Sequence, residues 1–304
     1  MPLAYGFVEY GGPETQQFLD LEVPVPGPGQ LLVAVHAAGV NPADWKVRAG
    51  TRKDTVPVTL PAVLGREVSG VVTAVGDRVD GFAVGDAVFG ATATGFGGYA
   101  EYTLLNAHSA VHKPEQVGFA AAATVPVALG TAFDIVDALA ISEEDTVLVI
   151  GAGGGVGSAA TQLARTRGAT VLGVASAGKR DLLEGNGATW IESGDDAADR
   201  VSAAASDITA IVDLVGGATL RTFAAAAPGA RIVSVADPAG AAELGGSGVE
   251  RRRTTEVFAA VAALVADGTV DPHIERTFPL REAGAALAVV EGGHARGKVV
   301  IVVR

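Results

Sequence analysis

The stretch Thr146-Val147-Leu148-Val149-Ile150 runs directly into Gly151-Ala152-Gly153-Gly154-Gly155-Val156-Gly157. The first five residues read as an apolar strand. Beyond the glycines, apolar residues recur at Val156, Ala159, Ala160, Leu163 and Ala164, the spacing of one helix face. Strand, glycine turn and helix in that order supply the context that a dinucleotide-binding fingerprint requires. The glycines let the backbone turn sharply and approach a pyrophosphate, and the first N–H groups of the helix point at its charge. The plainer alternative is a glycine-rich helix start in some other α/β protein. Candidate cofactor contacts on this stretch are Ala152, Gly153, Gly154, Gly155, Val156 and Gly157.

The helix is expected to stop at Gly168, and Thr170–Val174 reads as the second strand. A site for NAD usually carries Asp or Glu at the end of that strand, where it accepts the ribose 2′-hydroxyl. No acidic residue lies between Ala169 and Arg180; Ser176, Lys179 and Arg180 stand there instead. A hydroxyl and two cations suit a 2′-phosphate, and a carboxylate would repel it. The sequence therefore predicts NADPH over NADH. The alternative is that Lys179 and Arg180 are solvated residues on the next helix.

The chain has 304 residues, enough for two domains or one large one, and 49% of them are hydrophobic, ample for a core. A net charge of −12 argues against nucleic acid or an anionic membrane as a general partner, while leaving room for a local basic pocket. The absence of cysteine removes disulfides, thiolate nucleophiles and cysteine metal ligands together. The N-terminus shows no basic stretch followed by an apolar core, so the cytoplasm is the expected location. Val117 to Phe133, the most apolar stretch, is mostly alanine and is broken by Pro126; it reads as buried helix or loop, not a membrane span.

The first hundred or so residues read as β-rich. Gln30–Val35 is predicted as a strand after the turn Pro26-Gly27-Pro28-Gly29, and Val68–Val75 as another, with Gly76, Gly81 and Gly85 punctuating short strands beyond it. From Thr146 strands and helices alternate. Further strands are predicted at Ala210–Leu214 and Arg231–Val235, which implies a parallel sheet wound on both faces. A polar loop at Gly245–Arg253, a helix at Thr255–Ala266 and a strongly β tail at Lys298–Val303 complete the chain.

Several motifs carry a resemblance. They are Ala38-Gly39-Val40-Asn41-Pro42-Ala43-Asp44, Leu64-Gly65-Arg66-Glu67-Val68-Ser69-Gly70, Val75-Gly76-Asp77-Arg78-Val79 with Gly85-Asp86, and Gly98-Tyr99-Ala100-Glu101-Tyr102. With the alanine-started glycine turn, Gln162-Leu163-Ala164 and Gly297-Lys298-Val299-Val300, the chain resembles the medium-chain dehydrogenase/reductase superfamily. The similarity is to its zinc-free quinone oxidoreductase and enoyl reductase branch. The resemblance implies an α/β protein with two domains and a cofactor in the cleft between them. A GroES-like, β-rich catalytic domain is expected over 1–116 and 256–304. A Rossmann domain with a doubly wound parallel sheet is expected over 117–255.

The metal-using relatives hold zinc by Cys, His and a third ligand. Here Asn41 stands where that Cys would be and Arg66 where the His would be, and neither an amide nor a guanidinium replaces those ligands. The five histidines show no metal-ligand spacing. No metal is therefore expected, and an acceptor must already be electrophilic: a quinone or an α,β-unsaturated carbonyl. On the resemblance, Asn41 donates to the substrate oxygen or holds the nicotinamide carboxamide, and Asp44 and Trp45 line the substrate cleft. Asp44 has a second reading, as a helix cap. Enoyl and quinone reductases of this type often carry a tyrosine where this chain has Arg52; an arginine there stabilises charge but donates no proton, leaving water as the source. Tyr99 and Tyr102 lie in a motif that is largely structural in the family. Further cofactor contacts implied are Thr131, Val215, Gly216, Ser234, Val235 and Ala236, while Lys298 either reaches a phosphate or closes the last strand turn. The function expected is metal-independent, NADPH-dependent reduction of a small-molecule quinone or enone by a homodimer joined through Arg231–Asp237. A non-catalytic NADPH-binding sensor or structural protein is the alternative.

Overall fold

The computed structural model describes every residue except 52 and 55. Arg52, a candidate catalytic residue, therefore lies outside the described residues. The chain divides into two compact units. One comprises Met1–Val127, Arg253–Ala266 and Ile274–Arg304, and the other Ala128–Arg252 with Asp267–His273.

In chain order the strands are β1 (Leu3–Phe7), β2 (Gln16–Asp20), β3 (Gln30–Val40), β4 (Ala62–Val63), β5 (Glu67–Val75), β6 (Ala87–Thr92) and β7 (Tyr102–His112) in the first unit. The second unit holds β8 (Thr146–Ile150), β9 (Thr170–Ala175), β10 (Thr189–Glu192), β11 (Ala210–Asp213), β12 (Arg231–Ser234) and β13 (Ser247–Gly248). The chain then returns to the first unit as β14 (Ile274–Pro279) and β15 (Lys298–Val302).

Among the described residues, the first unit pairs β2-β1-β4 in one small sheet and β14-β15-β3-β5-β6-β7 in another. The start of β3 also pairs with β7, Gln30 opposite Asn106, so β3, β5, β6 and β7 close on themselves. Closure removes the unpaired edges. The interior is apolar: Phe7, Leu31, Val33, Val35, Leu64, Val68, Val88, Leu105, Leu287 and Ile301 pack as one core. β3 is longer than the expected Gln30–Val35. Ala37, Ala38 and Gly39 have weak strand propensity, but pairing with β15 (Val300 opposite Gly39) and β5 (Val68 opposite Ala38) holds them extended.

The second unit has the all-parallel order β10-β9-β8-β11-β12-β13, with β8 at the point where the winding reverses. Ligands of such sheets sit beyond the carboxyl ends of the strands at that point, where the glycine turn lies. β8 is buried along its whole length, as a central parallel strand should be. Gly168, with φ +86°, ends the following helix as expected. Arg231–Ser234 is not the outer strand: β13 pairs with Val233 and Ser234, so the edge of this sheet lies at Ser247–Gly248. The expected joining surface Arg231–Asp237 is thus partly covered by the protein's own chain.

The segment Phe119–Ala138 is helical throughout, passing Pro126 by a π-type turn at Val125–Leu129 that accommodates the missing N–H. Among the described residues it is the one helical stretch long and apolar enough to cross a membrane, and most of it is buried.

The helix Pro42–Arg48 is anchored at its far end. Arg48, 1% exposed, donates to the Gly11 carbonyl (3.1 Å) and forms a fork with Glu291 at 2.6 and 3.1 Å. Removing the cation leaves a carboxylate stranded against the core. Arg48→Met is expected to cost ~3 kcal/mol, read as a lower thermal midpoint; an unchanged midpoint would show that the fork carries no stability.

Candidate functional site

The glycine turn of the second unit is shaped by three different demands. Gly151, at φ +84°, turns the chain off β8, and both its N–H and that of Ala152 donate to Val174 O at 3.1 Å. Gly157 sits tight: a Cβ there would stand 2.4 Å from the Gly151 carbonyl oxygen, so this glycine permits the helix to pack on the turn. Gly154, by contrast, faces open space, with the same oxygen 3.8 Å from a Cβ position. Gly154 caps the helix Gly155–Thr166 without any side-chain partner for the first turn. The N–H groups of Gly155, Val156 and Gly157 thus have no intrahelical acceptors, at the positive end of the helix dipole. An open cradle ringed by unused donors fits the pyrophosphate of a nicotinamide dinucleotide.

Residues after β9 divide. Lys179 lays its aliphatic stem against Gly153, where a Cβ would come within 2.2 Å of the lysine Cδ. Ser176 is exposed at the start of the short turn Ala177–Lys179. Arg180 turns elsewhere: it pairs with Glu184 at 2.8 Å and stacks over Trp190 at 5.2 Å. The solvated-helix alternative therefore describes Arg180, while Lys179 lies on the glycine turn.

Beyond β11, Val215 is exposed and Gly216 adopts φ +81°. Asp213 organises this end. Its carboxylate accepts the N–H groups of Val215 (3.1 Å) and Gly216 (2.9 Å) and the Ser234 hydroxyl. Ser234 in turn accepts from Asp237 N at 2.8 Å. The Ser234 hydroxyl is fully buried and committed to this turn, so at this expected cofactor position the side chain is already spent on its own chain. Val235 and Ala236 come next, half-buried. Thr131 is buried in the first turn of the helix Gly130–Ala138.

In the first unit, a charged network fills the ground between β3, β5 and β15. The Lys298 ammonium donates to Val40 O (3.1 Å), Asn41 Oδ1 (2.9 Å) and Glu67 Oε1 (2.9 Å), using all three protons. Asn41 Nδ2 donates to Glu67 Oε1 at 2.8 Å and to Gly39 O at 3.4 Å. Glu67 Oε2 accepts from Val127 N at 2.7 Å. Glu67, Lys298 and Asn41 are all buried. This geometry corrects two expectations. Asn41 has both amide protons committed, so it does not offer a donor to substrate or carboxamide. Lys298 is neither a phosphate ligand nor a mere strand closure; it neutralises a buried carboxylate.

Asp44 and Trp45 lie on the helix Pro42–Arg48. Asp44 Oδ2 accepts the Asn41 N–H (2.9 Å) and the Tyr99 hydroxyl (2.8 Å), so the capping role is real. Trp45 packs against the core, its indole N–H buried with no partner. Tyr99, set aside as structural, is fully buried and holds Asp44 directly. Its motif was visible in the sequence; its partner was not.

Two family models match the chain: the alcohol dehydrogenase GroES-like domain over residues 27–115 and the zinc-binding dehydrogenases over 186–301. The 2-methylene-furan-3-one reductase of Solanum lycopersicum is 31% identical across 98% of this chain and 78% of that protein. Human quinone oxidoreductase is 41% identical over 59% of this chain and 55% of its own length. The solved quinone oxidoreductase of Coxiella burnetii superposes with a TM-score of 0.90 at 30% identity, covering 100% of this chain and 99% of that one. The chain belongs to the medium-chain dehydrogenase/reductase superfamily, in its quinone oxidoreductase branch. Its match spans about half the length of the mammalian quinone oxidoreductases.

The zinc named by one of those models does not fit the residues present. Asn41 is saturated, Arg66 is a cation, the chain has no cysteine, and among the described residues no group of three His, Asp or Glu converges.

Burial pushes the Asp44 carboxyl up to about 6, against the lowering by Tyr99, the Asn41 N–H and the Arg66 charge. The folded state then holds this proton more tightly than the unfolded chain does, so stability falls as pH rises from about 4 to about 6. Asp44→Asn is expected to flatten that slope in thermal midpoints taken across this range; an unchanged slope would assign it to other groups.

Proposed function

We propose that the protein is an NADPH-dependent reductase of quinones or α,β-unsaturated carbonyls that works without a metal. The observation that carries this reading is Lys179 lying across Gly153, with Ser176 beside it and no carboxylate between Ala169 and Arg180. A carboxylate there would select the ribose 2′-hydroxyl; a cation and a hydroxyl suit a 2′-phosphate.

When bound, the nicotinamide supplies a hydride. The chain's own residues have the remaining tasks. The N–H groups of Gly155, Val156 and Gly157 hold the pyrophosphate, and Lys179 and Ser176 hold the 2′-phosphate. The network of Asn41, Glu67 and Lys298 provides no metal ligand, so no Lewis acid activates the acceptor. The acceptor must be conjugated, and water supplies the proton after hydride addition. A small molecule is the partner, the cytoplasm the location and a homodimer the assembly under this reading; nucleic acid and membrane have no part in it.

The test is NADPH oxidation, followed by absorbance, against quinones, enones and simple ketones. Turnover with quinones or enones and not with simple ketones is expected. NADPH binding without turnover on any acceptor would move the protein to ligand sensing.

Lys179→Ala is expected to raise the NADPH dissociation constant by about tenfold or more, equivalent to ~1.4 kcal/mol, and to leave that of NADH nearly unchanged. Equal effects on both would remove the 2′-phosphate assignment. Gly157→Val is expected to abolish binding of both cofactors, read by fluorescence titration with NADPH and with NADH.

A further inference from the structure

Arg66 sits between Gly65 and Glu67, yet its guanidinium takes no part in the buried network of its neighbour. Among the described residues it forms no ion pair. Its Nε is buried and has no acceptor. The group is nevertheless fixed. It lies 5.5 Å from the centre of the Phe96 ring, and its Nη2 is 3.5 Å from the position of a Cβ on Gly95, which adopts φ +77°. The Arg66 carbonyl is held by Thr92, through N at 3.1 Å and Oγ1 at 3.4 Å.

A guanidinium that is half-buried, seated on an aromatic face and left without a carboxylate retains unused donors in a field of low dielectric. Two more polar atoms of the same unit are buried and unpartnered: Asp44 Oδ1, on a residue that feels the Arg66 charge, and the Trp45 indole N–H.

We infer that the Arg66 guanidinium binds the carbonyl oxygen of the acceptor and stabilises the oxyanion formed on reduction. This rests on the reductase reading above. A hydride adds to the conjugated carbon and the nicotinamide is oxidised by two electrons. The displaced π pair moves through the conjugated system, the carbonyl π bond breaks, and its electrons settle on oxygen. A proton from water then neutralises the enolate or phenolate. Arg66 keeps its own protons throughout and acts only as a fixed charge and donor.

The binding half of the inference is tested with 4-nitrophenolate, a phenolate whose visible band reports its surroundings, and with nitrobenzene as its uncharged counterpart. The intact chain is titrated without cofactor at a pH where the phenol is ionised. Wild type is expected to bind the phenolate, Arg66→Met to bind it at least tenfold more weakly, and Arg66→Lys to fall between. Nitrobenzene should bind all three alike. Circular dichroism checks the fold of each variant, with Arg66→Gln as the second neutral replacement if the methionine variant does not fold. Failure of wild type to bind the phenolate, or equal affinity in the neutral variant, overturns the inference. In turnover, the neutral variant is expected to lose about 10²-fold in kcat while its NADPH dissociation constant stays unchanged; an unchanged kcat would likewise overturn it. Phenolate binding that depends on Arg66 in a protein that oxidises NADPH with no acceptor would sink the reductase reading and leave the anion site standing.

Discussion

The Lys298 ammonium has no water to turn to. It lies among Val40 O, Asn41 Oδ1 and Glu67 Oε1, and each of its protons is matched to one acceptor. Burying such a pair carries a large desolvation penalty, recovered only when the geometry is complete. Here the geometry is complete only if the last strand, the end of β3 and the start of β5 stand in one register: Val299 opposite Val40 and Val68 opposite Ala38. A shift of one residue in any of them would turn Lys298 or Glu67 to the wrong face. The network thus fixes the register of the strands that carry the helix Pro42–Arg48 and the Arg66 loop.

Around that point several charges of the first unit are used up in pairs, while Arg66 forms no ion pair among the described residues. Asn41, Glu67 and Lys298 satisfy each other, Arg48 is matched to Glu291, and Asp44 is held by Tyr99 and the Asn41 N–H. Arg66 is held by shape, against Phe96 and Gly95, and not by a counter-charge. Its charge lowers the pKa of Asp44 while burial raises it, so acid and cation are electrostatically linked although they form no ion pair.

The second unit solves a different problem, that of approaching a doubly charged phosphate chain with backbone alone. The turn after β8 uses Gly151 for its positive φ, Gly157 for close packing and Gly154 for open space. Asp213 and Ser234 do the corresponding work at the ends of β11 and β12, spending their side chains on local N–H groups. They shape the turns at these strand ends.

The glycine turn, the parallel alternation after Thr146, the helix Thr255–Ala266 and the final strand were legible in the sequence because each is a local pattern. Glycine spacing, apolar period and turn residues act within a few positions of chain. The misfit of Asn41 and Arg66 to zinc was legible for the same reason, since it rests on side-chain chemistry at single positions. What the sequence left open was the direction in which each polar side chain points. Lys179 and Arg180 are neighbours with the same charge, yet one lies on the glycine turn and the other pairs with Glu184. Asn41 and Lys298 are separated by most of the chain and nothing local marks them as partners. Pairing across sheets, burial and the competition among distant acceptors decide such matters, and these exist only once the strands have been brought together.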